Sequence, residues 1–348
     1  MATSSSAAVQ SNEASPVALV LNNVKDGLAT VWADALKIAP RIFPARLPAR
    51  VLIKPNLCDI VAWENGVTTD PSWLRVLAPQ LRALRPDVQI SVIESDAIGA
   101  YKTYRSCDET FERLGYAAIT EELGIELINL SRADTFDISM ASIPYPVRIP
   151  QLFLEEFYFI SIANLKVHPY EHMTGILKNS LGLLPPADIS HYHPYLPLLI
   201  SVLHRLCPPD LCIIDGRVGL EGKGPIVGDL VPMQSLIFSN DALASDLMAC
   251  RLMMISPEKV PHLRRTASDL GRSLDSFSTV GQFEPREFAF DPENAHAQIL
   301  AKFANRRIHR ASELFANRWI DRFLRFKRAP ITFLSGAIGK LARRAYGR

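Results

Sequence analysis

The feature that most constrains this chain is a repeated switch between two hydrophobic periods. Short apolar, often β-branched runs stop abruptly at polar residues, and most are followed by a stretch patterned for a helix. Val17–Leu21 precedes a helical pattern over Asp26–Ala39. Val51–Lys54 ends at Pro55-Asn56, and Asp70-Pro71 opens the next helix, Asp serving as N-cap and Pro suiting the first turn. Val88–Ile93 stops at Glu94-Ser95-Asp96, and Ile125–Leu130 and Phe157–Ala163 read as further strands. Leu211–Ile214 and Ser235–Phe238 follow, the second feeding a helix from near Asp241 to Met254. This alternation predicts an α/β fold, a mainly parallel sheet with helices on both faces. Asp137–Pro150, with Pro144 and Pro146, reads as a hairpin or edge excursion. No internal repeat is present.

The chain has 348 residues, 48% hydrophobic and 21% charged, enough apolar material for a core and incompatible with global disorder. Three regions are expected: a disordered Ala/Ser-rich N-terminus over 1–16, without a secretory-signal pattern, an α/β domain over 17–296, and a basic amphipathic helical tail over 297–348. Charge divides along the same line. Of the 38 Lys and Arg, 13 lie in 301–348 beside only Glu313 and Asp321, so the first 300 residues hold 25 basic and 34 acidic side chains. An acidic body argues against a nucleic-acid-binding core, and the basic tail points to an anionic surface.

In that tail Ala304, Ile308, Ala311, Phe315, Trp319, Phe323 and Phe326 recur at three- and four-residue steps, one stripe of a helix. Such a stripe either docks on protein or lies in a membrane interface. No apolar run reaches the roughly 18 residues of a membrane span. The expectation is a cytoplasmic protein, peripheral to a membrane or bound to a partner through 300–348. Five cysteines, Cys58, Cys107, Cys207, Cys212 and Cys250, show no CxxC spacing and are odd in number, which argues for reduced thiols rather than a disulfide framework or closed zinc site.

Chemistry-bearing residues concentrate between Asn164 and His193. An apolar strand delivers Lys166 and His168; His172, Thr174, Lys178 and Asn179 follow, then Gly182, His191 and His193. Lys ammonium and Asn amide groups supply donors for a carboxylate or phosphate, and histidine moves protons near neutrality. Together with Lys54, Asn56 and Glu94 at other strand ends, they suggest an anion-anchoring site with an acid/base beside it. Metal binding by His168, His172, His191 and His193 is the rival reading. Pro169 breaks a regular helical His pair, however, and no glutamate stands in the HExxH position. A second candidate loop, Asp215-Gly216 through Gly224-Pro225, leaves a strand and offers Asp215 and Glu221 as proton acceptors or metal ligands. It matches neither the ATP nor the dinucleotide fingerprint.

Six strings, read jointly and in order, carry a family resemblance: Ile53-Lys54-Pro55-Asn56-Leu57, Thr69-Asp70-Pro71, Ile93-Glu94-Ser95, Asn164-Leu165-Lys166-Val167-His168, Thr174 through Asn179, and Ile214-Asp215-Gly216 through Pro225. Over about Val51 to Met254 the chain resembles the domain-of-unknown-function family 362. The resemblance implies an α/β domain widespread in bacteria and archaea, often described as an iron–sulfur-centre protein because some members carry a ferredoxin-like cysteine segment. This chain has no CxxCxxC run, which argues against a cluster held in cis.

Two functions are therefore expected in competition. In the first, an enzyme acts on an anionic small molecule, carboxylate- or phosphate-bearing, free or lipid-linked. Lys54, Asn56, Glu94, Lys178, Asn179 and His193 hold the substrate, and His168, Lys166, Asp215 and Glu221 carry the chemistry, with metal assistance or redox linkage left open. The second is a non-catalytic binding or assembly protein that docks on a membrane or complex through its tail.

Overall fold

The structure, a computed structural model, describes residues 16–22, 24, 27–98, 104–140, 142–185 and 192–291. The predicted N-terminal disorder (save Pro16), the basic tail and His191 lie outside these residues.

In chain order the elements are β1 (Val17–Leu21), α1 (Leu28–Ile38), β2 (Arg50–Lys54), α2 (Trp73–Leu84), β3 (Gln89–Glu94), β4 (Ala97–Ile98), β5 (Tyr104–Arg105), α3 (Cys107–Arg113), α4 (Tyr116–Leu123) and β6 (Glu126–Asn129). They continue with β7 (Thr135–Met140), β8 (Ile143–Pro150), β9 (Tyr158–His168), β10 (His172–Thr174), α5 (Ile176–Asn179) and α6 (Leu196–Leu206). The last are β11 (Leu211–Glu221), β12 (Asp229–Val231), β13 (Ser235–Ser239), α7 (Ala242–Met253), α8 (Pro261–Asp269) and β14 (Ser278–Val280).

The main sheet has the order β14-β1-β13-β11-β9-β2-β3-β6, with β10 paired to β9 and β12 to β11. Along that path every strand points one way except β13, which is antiparallel to both β1 and β11. The connection from β11 to β13 holds only β12 and turns, with no crossover helix, so the chain returns reversed. The predicted mainly parallel α/β sheet is what forms. Asp137–Pro150 does form a hairpin, with β7 and β8 paired as a separate two-stranded sheet.

Period-two alternation sorts the strand residues into two cores. Leu19, Val51, Ile53, Ile90, Val92, Ile160, Ile162, Leu211, Ile213 and Phe238 pack on α1, α2, α3 and α4. Their neighbours Ala18, Val20, Leu52, Ile93, Phe159, Ala163, Cys212, Ile214 and Ile237 pack on α5, α6, α7 and α8. Strands buried on both sides read as continuous apolar runs, the pattern that marked them in the sequence.

Three expectations need correction. Helix α2 begins at Trp73, not at Asp70-Pro71: the Asp70 carboxylate instead accepts from Ser72 N at 2.8 Å and from Arg217 Nη2 at 2.7 Å. β9 does not stop at Ala163 but runs on through His168, so Asn164, Lys166 and His168 lie within a buried strand. The Gly-rich loop expected from Asp215 is, up to Glu221, the second half of β11. It bulges between Asp215 and Leu220 and then pairs with β12. Within the bulge Arg217 N donates to Asp215 Oδ1 at 3.1 Å, and beyond it Gly222 N donates to Ala289 O at 2.8 Å.

The chain order also marks a topological switch point. From β2 it steps outward to β3 and β6, then returns to the opposite side of β2 as β9 and continues to β11. The connection after β2 leads to α2 on one face, and that after β9 leads to α5 and α6 on the other. The carboxyl ends of β2 and β9 thus flank a topological switch point, where open α/β sheets bind ligands.

Candidate functional site

The segment between β2 and α2 arches over the switch point and is held by amides and hydroxyls. Asn56 Nδ2 donates to Asn164 Oδ1 and to Val67 O, both at 3.2 Å, and Asn164 Nδ2 donates to Thr68 O at 2.9 Å. Thr69 Oγ1 accepts from Asn56 N at 2.9 Å and donates to Ile162 O at 3.1 Å. Asn56 is thereby a brace for the arch, not a ligand donor. The arch carries Cys58, the one cysteine of the five that is not fully buried.

Under the arch lies Lys166, only 1% exposed. Its Nζ donates to Val67 O at 2.7 Å and approaches Cys58 Sγ at 3.6 Å, and Cys58 Sγ lies 3.7 Å from Val67 O. Burial lowers the proton affinity of Lys166, with Cys58 acting in the opposite sense. Lys178, partly buried on α5, is pushed down to about 8, first by burial and next by the Lys166 charge. Neither lysine forms an ion pair among the described residues; Glu171, which favours charged Lys178, accepts through Oε2 from His262 N and Nδ1 at 3.1 Å, while its buried Oε1 has no hydrogen-bond partner among them.

His168 completes the group. Its Nδ1 accepts from Tyr170 N and Glu171 N, both at 3.2 Å, which assigns the proton of the neutral ring to Nε2. Burial, and then the charges of Lys178, His193, His262 and Lys166, hold its pKa well below the ordinary value. His168 is therefore a fixed Nε2–H donor. The expected acid/base shuttle is corrected on this point, because both Nδ1-facing amides oppose protonation there. Tyr170 stands between the rings of His168 and His193, at 5.7 and 6.1 Å, so His193 belongs to the rim of the same group.

The remaining expected residues are engaged elsewhere. Lys54 directs its ammonium to Glu94 Oε2 at 2.7 Å, Pro55 O at 3.1 Å and Asn179 Oδ1 at 3.3 Å, three acceptors for its three N–H groups. Glu94 also accepts from Ser95 N and Leu57 N, while burial, opposed mainly by Lys54, raises its pKa. Asn179 Nδ2 donates to Ser161 Oγ at 3.1 Å. Lys54, Glu94 and Asn179 form a closed buried network beside the site, with no donor left over for a substrate. Gly182 is part of it: a Cβ there would stand 2.3 Å from Glu94 Oε1 and 2.6 Å from Lys54 Nζ.

Asp215 accepts from Trp73 Nε1 at 2.9 Å and from Arg217 Nη2 at 2.7 Å, and Arg217 lies over the Trp63 ring at 4.3 Å. It anchors β11 to α2. Glu221 accepts from Ala289 N at 2.8 Å and pairs with Arg286 at 3.6 Å, so it pins the 286–291 segment rather than a proton. His172 stacks on Phe290 at 4.9 Å. Among the described residues no three His, Cys, Asp or Glu side chains come together as a metal site, so the His168–His172–His193 metal set is not assembled.

Two positioning elements escaped the sequence reading. Asp246 of α7 is fully buried and accepts from Ile176 N at 2.7 Å and Leu177 N at 3.0 Å, holding the first turn of α5 and so placing Lys178. The second is Cys58, whose sulfur lies 3.6 Å from Lys166 Nζ. Nothing in the local sequence ties Asp246 to α5, and Cys58 reads as one more free thiol.

The family model for the domain of unknown function 362 matches residues 51–251, the span of every contact just described except those of α8 and the 286–291 segment. The chain belongs to the DUF362 family. A thylakoid-associated protein of Synechocystis sp. is 23% identical over 220 residues, covering 61% of this DUF362 chain and 65% of that protein. The lactate racemase apoprotein from Thermoanaerobacterium thermosaccharolyticum is similar at a TM-score of 0.42 and 10% identity, covering 68% of this chain and 56% of that one. The chain therefore spans a little under two thirds of the first protein's length and just over half of the second's.

Proposed function

We propose that this DUF362 protein is an enzyme that takes a small carboxylate- or phosphate-bearing substrate at the β2/β9 switch point. The observation that carries the reading is a pair of basic side chains without counter-ions: among the described residues neither Lys166 nor Lys178 has a carboxylate in ion-pair contact, and burial favours the neutral form of Lys166. A desolvated ammonium without a counter-ion is costly, and an incoming anion removes that cost. Lys178 and the Nε2–H of His168 supply the donors. Lys166, whose affinity for its proton is weakened by burial, takes up a proton from the reacting group.

Calorimetric titration with inorganic phosphate and with small carboxylates tests this. Saturable binding by the full chain, weakened at least about tenfold in Lys178→Gln, is the expected result, since a hydrogen bond to a charged group contributes about 1.5–3 kcal/mol. Absence of saturable binding of either class sinks the reading.

A second reading concerns the tail. The excess of basic residues over 301–348 and the name of the thylakoid-associated relative favour docking on an anionic membrane surface. No helix among the described residues is long and apolar enough to cross a membrane. Co-sedimentation with anionic vesicles, lost on truncation at Ala301, is the expected outcome; equal pelleting of both proteins rejects it.

A further inference from the structure

We propose that Cys58 is the nucleophile of this site, and that its substrates are short anions with an electrophilic carbon one or two bonds from the carboxylate or phosphate. The inference rests on the anion-site reading above and deepens it. Three observations support it. Cys58 alone among the cysteines is accessible, while Cys107, Cys207, Cys212 and Cys250 are buried, and burial pushes the Cys207 thiol up to about 12. Its sulfur lies 3.6 Å from Lys166, which has no carboxylate partner among the described residues and whose burial favours the neutral amine that can accept a thiol proton. Lys178 stands on α5, the helix that follows β10, and Thr174 of β10 pairs with Lys166 of β9, so an anion held by Lys178 is proposed to present its carbon toward the sulfur beside Lys166.

The step balances without a further reagent. Cys58 loses its thiol proton to the Lys166 amine, the sulfur lone pair forms an S–C bond, and the leaving group departs with the electron pair of the bond it breaks. The new Lys166 ammonium stays 3.6 Å from the sulfur and neutralises the charge at the reacting centre. His168 Nε2–H and Lys178 hold the anionic end throughout.

Iodoacetate and iodoacetamide separate this proposal from ordinary thiol exposure, because they transfer the same carbon to sulfur, release the same iodide and differ in the negative charge. The rate at each cysteine of the full chain is read by peptide mass spectrometry. Cys58 is expected to be alkylated about tenfold faster or more by iodoacetate, the gain a cationic cleft gives an anionic reagent, with the four buried cysteines unmodified. Lys178→Gln is expected to remove that preference while leaving iodoacetamide labelling in place. Lys166→Met is expected to slow both reagents. Equal or slower reaction with iodoacetate in the natural protein, or a preference that survives in Lys178→Gln, overturns the proposal. If phosphate binds saturably yet Cys58 shows no preference, the nucleophile is lost and the anion site stands. If neither is observed, both fall.

Discussion

Replacing Gly175 with Ala should damage this protein through one contact whose cost can be worked out. The backbone at Gly175 is extended, with φ −161°, so an alanine meets no conformational penalty there. Its Cβ, however, would lie 2.2 Å from Asp246 Oδ1, 2.6 Å from Cγ and 2.9 Å from Oδ2. Restoring ordinary contact requires the carboxylate to retreat by roughly 1 Å, which breaks its bonds to Ile176 N and Leu177 N. Hydrogen bonds to a charged group are worth about 1.5–3 kcal/mol each, so losing both inside the core should cost about 3 kcal/mol or more. The cycle with Asp246→Ala isolates the cause. Without the carboxylate the clash vanishes, and Gly175→Ala should then fall within about 1 kcal/mol of neutral, helped by the stiffer unfolded chain. Guanidinium denaturation of the four proteins measures all of this. A loss under about 1 kcal/mol in the natural background, or the same loss in both backgrounds, would falsify the claim that Asp246 holds α5 through this contact.

Three further outcomes are expected. Lys178 should titrate near pH 8, read as the midpoint of its labelling by an amine reagent, and phosphate affinity should fall as pH rises through that value because the ammonium is lost; a midpoint above 10 contradicts the site's electrostatics. His168 has a folded pKa below its ordinary 6.5, so its contribution to stability is complete above 6.5 and is lost as pH falls below it. His168→Asn, whose amide oxygen still accepts from Tyr170 N and Glu171 N, should remove about 1 kcal/mol of acid sensitivity between pH 7.5 and 5.5, and identical pH slopes for the two proteins would rule this out. Lys54→Met should cost about 3–5 kcal/mol in denaturant by leaving Glu94 buried and unpaired, and Glu94→Gln should recover part of it; a loss below about 1 kcal/mol would mean the pair is not closed as described.

The sequence was explicit wherever a residue's own neighbours along the chain decide its environment. Strand β1 matches the expected span, and β2, β3 and β6 come within a residue at each end, because a short apolar run bounded by polar residues sets a strand's length even at the sheet edge, where β6 is only partly buried. The concentration of Lys and His around β9 was likewise legible, as was the parallel sheet that places it at a topological switch point. Tertiary structure alone decided which of those side chains are available. Lys54 and Lys166 look alike in the sequence, yet one meets Glu94, brought alongside by β3, and the other meets a carbonyl and a thiol from the arch. Asp215 and Glu221 seemed equivalent acids until Trp73 with Arg217 claimed one and Arg286 the other. A charged group's chemistry is set by what lies within a few ångströms of it, and those neighbours come from strands and loops tens of residues away along the chain.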